Sequence, residues 1–464
     1  MSPEKTNQHS SSTPGPKPVP ILGNILDMRQ GEVFETLLEF HKSYGDIVQL
    51  ELPKNNFVYS IANPESIRHV MQMNNQNYTK GERIKITSPL IGNGLFASEG
   101  DFWRRQRRMM QPAFHRKQIT LLAGEMVTTI QEMLENWEQY ADSGTSLNMQ
   151  HEMMGLTMEV VTRTLFTSSL QPEEVAELGE QITFLLDVIT ERGQAIFPIG
   201  EKIPTAKNRR FDEGVATIDK IIYRLIHDRR QAKDNGNDLL SMMIEARDEE
   251  TGEAMDDKQL RDELVTMFLA GHETTAIALS WSIALLSLHP TVRRQLQQEI
   301  DTVLAGHVPN AADFNNLPYT NAVVSEAMRL YPPLPITIRQ ALEDDVLDSY
   351  QIKAGSGVFI NIYGAHHNPD VWDNPEGFDP ERFLPDRIGD VPRFAYLPFG
   401  GGPRQCIGNN FALMEAVLAL SMITQRFELD LVPGTDLEPY MPGTLRPRGG
   451  VPVTIKRRGL QAAQ

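Results

Sequence analysis

Phe399-Gly400-Gly401-Gly402-Pro403-Arg404-Gln405-Cys406-Ile407-Gly408 is the stretch on which the reading of the whole chain turns. An apolar approach, Phe394-Ala-Tyr-Leu-Pro398, leads into it, and a helical pattern from about Ile407 to Phe427 follows. Three glycines permit a tight backbone path around a flat ligand. A cysteine just before a helix start gains thiolate stability from the free N–H groups and the dipole there. Bound to a metal it would be deprotonated outright. Three readings are open for such a residue: a buried cysteine in a turn, a nucleophile with a histidine close in space, or a metal ligand. Cys406 is the only cysteine in the sequence, so no intramolecular disulfide is possible. That fits a reducing compartment.

Working outward, the 464 residues are 40% hydrophobic and 23% charged, enough to fill a sizeable core. The net charge of -17 argues against a general nucleic-acid binder, which needs Lys and Arg in excess. The polar start, Met1 to Thr13, has no apolar run suited to a leader or anchor and is expected to be a disordered tail. The apolar stretch Leu264 to Leu288 is long enough to raise the question of a membrane span. His272, Glu273, Thr274 and Thr275 interrupt it, which favours a buried core helix.

Helical spacing covers Glu32 to Tyr44, with Gly45 at its C-terminus. Strands are expected at Ile47 to Leu52 and Phe57 to Ile61, and Asn63-Pro64 reads as an N-cap and first helical residue. The chain is then mostly helical to about residue 331, with a charged loop from Asp234 to Asp257. Residues Pro332 to Arg404 are Pro- and turn-rich with short strands. There is no internal repeat and no long linker. The expectation is one mainly α (α+β) domain over residues 14–464, with small sheets near both ends.

The pattern F-x-x-G-x-R-x-C-x-G has a chance of occurring by accident in a chain this long on the order of one in ten thousand. It resembles the haem-binding signature of cytochromes P450, with every fixed position present, and the similarity extends from about Pro14 to Lys456. The resemblance implies the cytochrome P450 fold, with haem b between the apolar mid-chain helix and the helix after the cysteine loop. It implies Cys406 as the thiolate ligand of iron, Phe399 covering the sulfur, and Arg404 reaching a haem propionate.

Four other segments carry the resemblance. Leu269-Ala-Gly-His-Glu-Thr-Thr275 puts polar residues inside an apolar helix, which is costly without a use. Ala270 and Gly271 leave room for a ligand, and Thr274 can bond back to a carbonyl and bend the helix. The segment is similar to the family's oxygen-activation motif, which gives Glu273 and Thr274 the role of delivering protons to dioxygen. Trp103 and Arg107, at i and i+4, resemble a propionate contact, as does Arg339. His366 matches a further cofactor position, although His367 stands where the family usually has arginine. Glu326-Ala-Met-Arg329 and Arg382 resemble a buried structural network beneath the cysteine loop.

Arg104, Arg105, Arg107, Arg108, Arg116 and Lys117 form a basic run, with no acidic residue between Asp101 and Glu125. The resemblance implies an acidic ferredoxin or flavodoxin-like donor docking on this face, served by its own reductase and NAD(P)H. With 58 residues after Cys406, the reductase is expected to be a separate protein.

The implied function is monooxygenation with O2: hydroxylation or epoxidation of a medium-to-large apolar substrate. Fatty acids and terpenoids or carotenoids lead, with a polyketide tailoring oxidase as the alternative. Lys80 to Ala97 is the expected pocket segment, through Ile84, Ile86, Leu90, Ile91, Leu95 and Phe96. Phe268, Ala270, Leu334, Ile336, Thr337 and Thr444 are further lining candidates, and Lys80, Arg83 and Lys85 could meet a substrate carboxylate. A soluble cytoplasmic monomer without a transmembrane anchor is expected. Rival readings are a haem-thiolate peroxygenase or isomerase, which commonly alters the Glu-Thr pair, a cysteine hydrolase, and a non-catalytic haem sensor.

Overall fold

A computed structural model describes residues 13–29, 32–53, 56–166, 170–194, 203–232, 236 and 238–459. The expected polar tail lies outside them except for Thr13. The chain groups into two compact units. Of the described residues, one holds those within 13–81, 334–377 and 389–406, the other those within 82–333, 378–388 and 407–459.

The first unit is built on a five-stranded sheet, in the order Ile47–Leu52, Asn56–Ile61, Gly357–Asn361, Ile336–Ala341, Tyr78–Thr79. The first two strands form an antiparallel hairpin with Val48 opposite Ser60. The second runs parallel to the third, with Tyr59 opposite Val358. Alternate residues face opposite sides of a strand, and the two faces here have separate cores. Val48, Leu50, Val58 and Phe359 pack with Leu37 of the Val33–Tyr44 helix. Ile47, Tyr59, Ile61, Val358 and Ile360 pack with Val70, Met71, Phe394 and Leu397. The approach to the cysteine loop is therefore anchored in a sheet core. The expected caps are present: Gly45 ends the first helix at φ 97°, and Asn63 Oδ1 accepts the Ser66 N–H at 2.7 Å.

The second unit is helical, with a three-stranded sheet formed by Ser146–Asn148, Pro452–Arg457 and Phe427–Leu431. Its central element is the 32-residue helix Asp257–Leu288, opened by a capping box between Asp256 and Gln259. That helix is buried along most of its length and packs on Met149–Phe166, Pro318–Leu330 and Asn409–Arg426. The last of these is the helix expected after the cysteine loop. No single helix among the described residues is long and apolar enough to cross a membrane. One expectation needs correction. The charged segment 234–257 is not all loop, because Leu239–Glu245 forms a short helix capped by Asp238.

Candidate active site

In the first unit the cysteine loop is held from behind. Gly400 and Gly402 adopt φ of 66° and 65°, a region where a Cβ is strained. A Cβ on Gly402 would also come within 1.9 Å of the Met71 carbonyl oxygen, and one on Gly401 within 2.6 Å of the Phe394 ring. Glycine at 401 and 402 is thus required by the chain's own packing. That is a different reason from the flat ligand expected from sequence. The Cys406 N–H donates to the Phe399 carbonyl at 2.9 Å, closing the turn, and the thiol is exposed. Arg404 sits half-buried at the end of the Gly402–Arg404 turn.

His366 is fully buried. Its Nε2 accepts the Leu397 N–H at 2.8 Å and its ring stacks on Tyr396. The histidine therefore braces the approach to the loop, a role that its sequence position does not reveal. Arg339 is buried on a sheet strand, where its guanidinium donates to the Ile338 carbonyl at 2.8 Å.

In the second unit the helix Asp257–Leu288 is unbroken through the Glu-Thr-Thr segment. Thr274 Oγ1 donates to the Ala270 carbonyl at 2.8 Å, as expected, without interrupting the helix. Glu273 Oε1 accepts the Thr444 hydroxyl at 2.6 Å. Thr444, a pocket candidate from sequence, is thus a partner of the acid. His272 is buried, with Nδ1 3.0 Å from the Phe268 carbonyl, and burial lowers its pKa. Its own carbonyl accepts the Thr157 hydroxyl at 2.8 Å. A Cβ on Gly271 would meet Val161 Cγ2 at 2.8 Å. The missing bulk at 271 thus serves a close helix crossing.

Sequence reading missed the residues that tie the candidate pocket segment to this helix. Asp262 accepts the Asn93 N–H at 2.9 Å, Glu263 accepts the Leu95 N–H at 2.9 Å, and Arg261 donates to the Leu90 carbonyl at 2.7 Å. All three side chains are buried. The available signal was three consecutive charged residues leading directly into an apolar helical stretch. Leu90, Ile91, Leu95 and Phe268 are buried core, whereas Phe96 and Leu334 are exposed. Lys85 pairs with Glu82 and Arg83 donates to the Gly193 carbonyl.

The expected network is formed. Arg329 grips Glu326 with two bonds, of 2.6 and 2.8 Å, and both side chains are fully buried. The Asp379 N–H adds 2.9 Å to Glu326 Oε1, and Arg382 lies 3.4 Å away. Burial pushes the Glu326 carboxyl up, and Arg329 pulls it back.

Much of the basic run is paired within the chain. Arg108 is bound to Asp248 at 2.9 Å and to Glu250 at 2.7 Å, and Arg105 pairs with Glu253 at 3.0 Å. Arg104 pairs with Asp101 and Arg116 with Asn315. A run of cations in sequence does not show partners that arrive about 140 residues later. Trp103 and Arg107 are half-buried on the same helix, Gly100–Met110.

The donors present fit a haem. Cys406 supplies an exposed soft ligand, and among the described residues no cluster of His, Cys, Asp and Glu is able to hold a bare ion. Iron brought in a ring of nitrogens can be held by one such thiolate. Within the same unit, Arg339 and Arg404 are of the residue type that binds carboxylates such as the ring's acid side chains.

The family model described as Cytochrome P450 matches residues 13–455. Cyclooctatin synthase of Streptomyces melanosporofaciens is 38% identical, covering 94% of each chain. Cyclooctat-9-en-7-ol 5-monooxygenase of the same organism is 36% identical over 91% of this chain and 90% of that one. The chloroplastic carotene epsilon-monooxygenase of Arabidopsis thaliana is 31% identical over 94% of this chain and 84% of that one. The solved haem domain of cytochrome P450DA superposes with a TM-score of 0.89 at 25% identity, covering 98% of this chain and 99% of that one. The chain belongs to the cytochrome P450 family and is a monooxygenase whose haem is held by a cysteine thiolate.

Proposed function

We propose that this enzyme hydroxylates an apolar isoprenoid, with Cys406 as the iron ligand and Glu273 and Thr274 as the proton-delivery pair. The sole cysteine supports the first assignment, since the family's haem needs a thiolate and the chain offers one. Residues 14–464 would act as one monooxygenase domain. Electrons would come from NAD(P)H through a separate ferredoxin or flavodoxin-like carrier. The substrate class rests on two relatives named for an alkenol and a carotene.

When bound, haem supplies the thiolate-held iron at which O2 is cleaved and one oxygen atom inserted. The protein's own groups do the rest. Trp103, Arg107, Arg339 and Arg404 would hold the propionates, and His366 would brace the loop through Leu397. The Glu273 carboxyl, oriented by Thr444, takes up a proton and passes it inward. Thr274 spends its own proton on the Ala270 carbonyl and so presents lone pairs to a reacting hydroxyl.

The Thr444 to Glu273 bond is the observation that carries this reading. It holds an acid in a fixed place beside the alcohol, which a peroxygenase or a haem sensor does not need. The test has three steps. The reduced, CO-bound spectrum of the wild type should show the red-shifted Soret band of thiolate ligation, and Cys406→Ser should lose it. Glu273→Gln should divert reducing equivalents from product to hydrogen peroxide. A spin-shift screen should then favour isoprenoids over fatty acids. A histidine-type band in the wild type would refute the ligand assignment, and tighter binding of fatty acids would refute the substrate.

A further inference from the structure

We propose that the turn Asp248–Glu253 is a clamp that positions the Gly100–Met110 helix and, through it, Trp103 and Arg107. This rests on the reading of those two residues as haem anchors.

The turn is closed on itself. The Asp248 N–H donates to the Glu253 carbonyl at 2.9 Å, and the Gly252 N–H donates to the Asp248 carbonyl at 2.7 Å, with Gly252 at φ 70°. Thr251 Oγ1 donates to Asp248 Oδ2 at 3.0 Å, so the carboxylate is aimed before any arginine meets it. The Asp248 side chain is only 1% exposed. Arg108 takes its Oδ1 through both Nε and Nη2, at 2.9 and 2.5 Å, and holds the carboxyl below its ordinary pKa. Glu250 and Glu253 extend the grip on the rim, to Arg108 at 2.7 Å and Arg105 at 3.0 Å.

Helical spacing gives this clamp its purpose. Arg105 and Arg108 share one face, and Trp103 and Arg107 share another, about 150° away at 100° per residue. A buried carboxylate gripped on one face fixes the rotation of the helix, and so the aim of the indole and guanidinium on the other. Arg105 and Arg108 are positioning residues in this account. The three acidic and two basic groups of the cluster pair with one another within the chain, so an acidic carrier would have to displace the turn to use the two arginines.

The test uses holoenzyme carrying Asp248→Asn, the rim variants Glu250→Gln and Glu253→Gln, and the exchanged pair Asp248→Arg with Arg108→Asp. Two quantities are read: amide hydrogen exchange across residues 100–110, and the rate of haem transfer to excess apomyoglobin. Asp248→Asn should speed haem transfer about 10-fold, as loss of a supporting shell does, and should raise exchange in the helix. The exchanged pair should recover part of both. The rim variants should give a smaller effect in the same direction, and they serve if Asp248→Asn does not fold. Unchanged exchange and transfer in all variants would overturn the clamp. So would a docking result, in which Arg105→Gln with Arg108→Gln slows iron reduction by an acidic carrier only at low salt and leaves exchange and haem transfer as in the wild type. Loosened exchange in Asp248→Asn, together with no effect of Arg107→Gln or Trp103→Phe on haem transfer, would keep the clamp and remove the anchor reading.

Discussion

The hydroxyl of Thr444 donates a 2.6 Å hydrogen bond to Glu273 Oε1, joining residues 171 positions apart in the chain. The carboxylate that sequence alone places on the core helix is thus held by a side chain from the C-terminal turn. Its mobility is set outside its own helix.

Thr444→Val should therefore impair coupling without touching either member of the acid–alcohol pair. Product formed per NAD(P)H should fall about 10-fold, against about 100-fold for Glu273→Gln. Hydrogen peroxide should rise in proportion in both. Coupling unchanged in Thr444→Val would mean that the bond does not orient the acid.

Glu326 and Arg329 are both fully buried, so removing Arg329 leaves the carboxylate with only the more distant Arg382 as a cation. Arg329→Met should destabilise the holoenzyme by about 3–5 kcal/mol in urea titrations. Arg329→Lys should not rescue it, because an ammonium cannot reproduce the two-pronged grip.

Gly271 lies against Val161, and Gly271→Ala forces that contact to give way. The expected cost is about 1–3 kcal/mol. Val161→Ala in the same chain should recover part of it, which thermal unfolding of the double variant would read. A loss of substrate binding without a loss of stability would instead support a ligand-facing role for Gly271.

Two groups give the stability a pH dependence of opposite sign. Glu415, on the Asn409–Arg426 helix, is completely buried with neither carboxyl oxygen hydrogen-bonded, and burial raises its pKa well above the ordinary value. The folded state keeps that proton longer than the unfolded state, so stability falls as pH rises from the ordinary carboxylate value toward the raised one. In that window Glu415→Gln should gain on the wild type by about 1.4 kcal/mol per pH unit. His41 is pulled down to about 4 by burial. The unfolded state binds that proton first, so stability falls as pH drops from 6.5 toward 4, and His41→Asn should flatten the acid limb. Denaturant titrations between pH 4 and 8 separate the two.

What could be read in advance follows from what a motif encodes. The cysteine loop, the Glu-Thr pair and the Glu326–Arg329 pair are local patterns whose spacing carries their meaning, and the last is a bonded pair as expected. The caps at Gly45 and Asn63 were legible for the same reason. Long-range pairing was not. Nothing near Arg108 announces Asp248, and nothing near Glu273 announces Thr444. Gly271 and Gly402 were ambiguous in kind, since a missing side chain leaves room for a ligand or for another piece of chain. Both are filled by chain, as Val161 and Met71 show. The roles of Asp262 and Glu263 went unread because they hold the backbone N–H groups of Asn93 and Leu95, and no sequence pattern displays such a partner.

The approach of Gly402 to the Met71 carbonyl has a consequence for engineering. The transplantable part is discontinuous, because the loop at 399–406 takes its shape from the turn at 69–73 as much as from its own glycines. A chimera that swaps the loop alone would set foreign residues against an unchanged template. Exchanging both pieces together would preserve the fit, and the two segments would be expected to change in concert as such enzymes diverge.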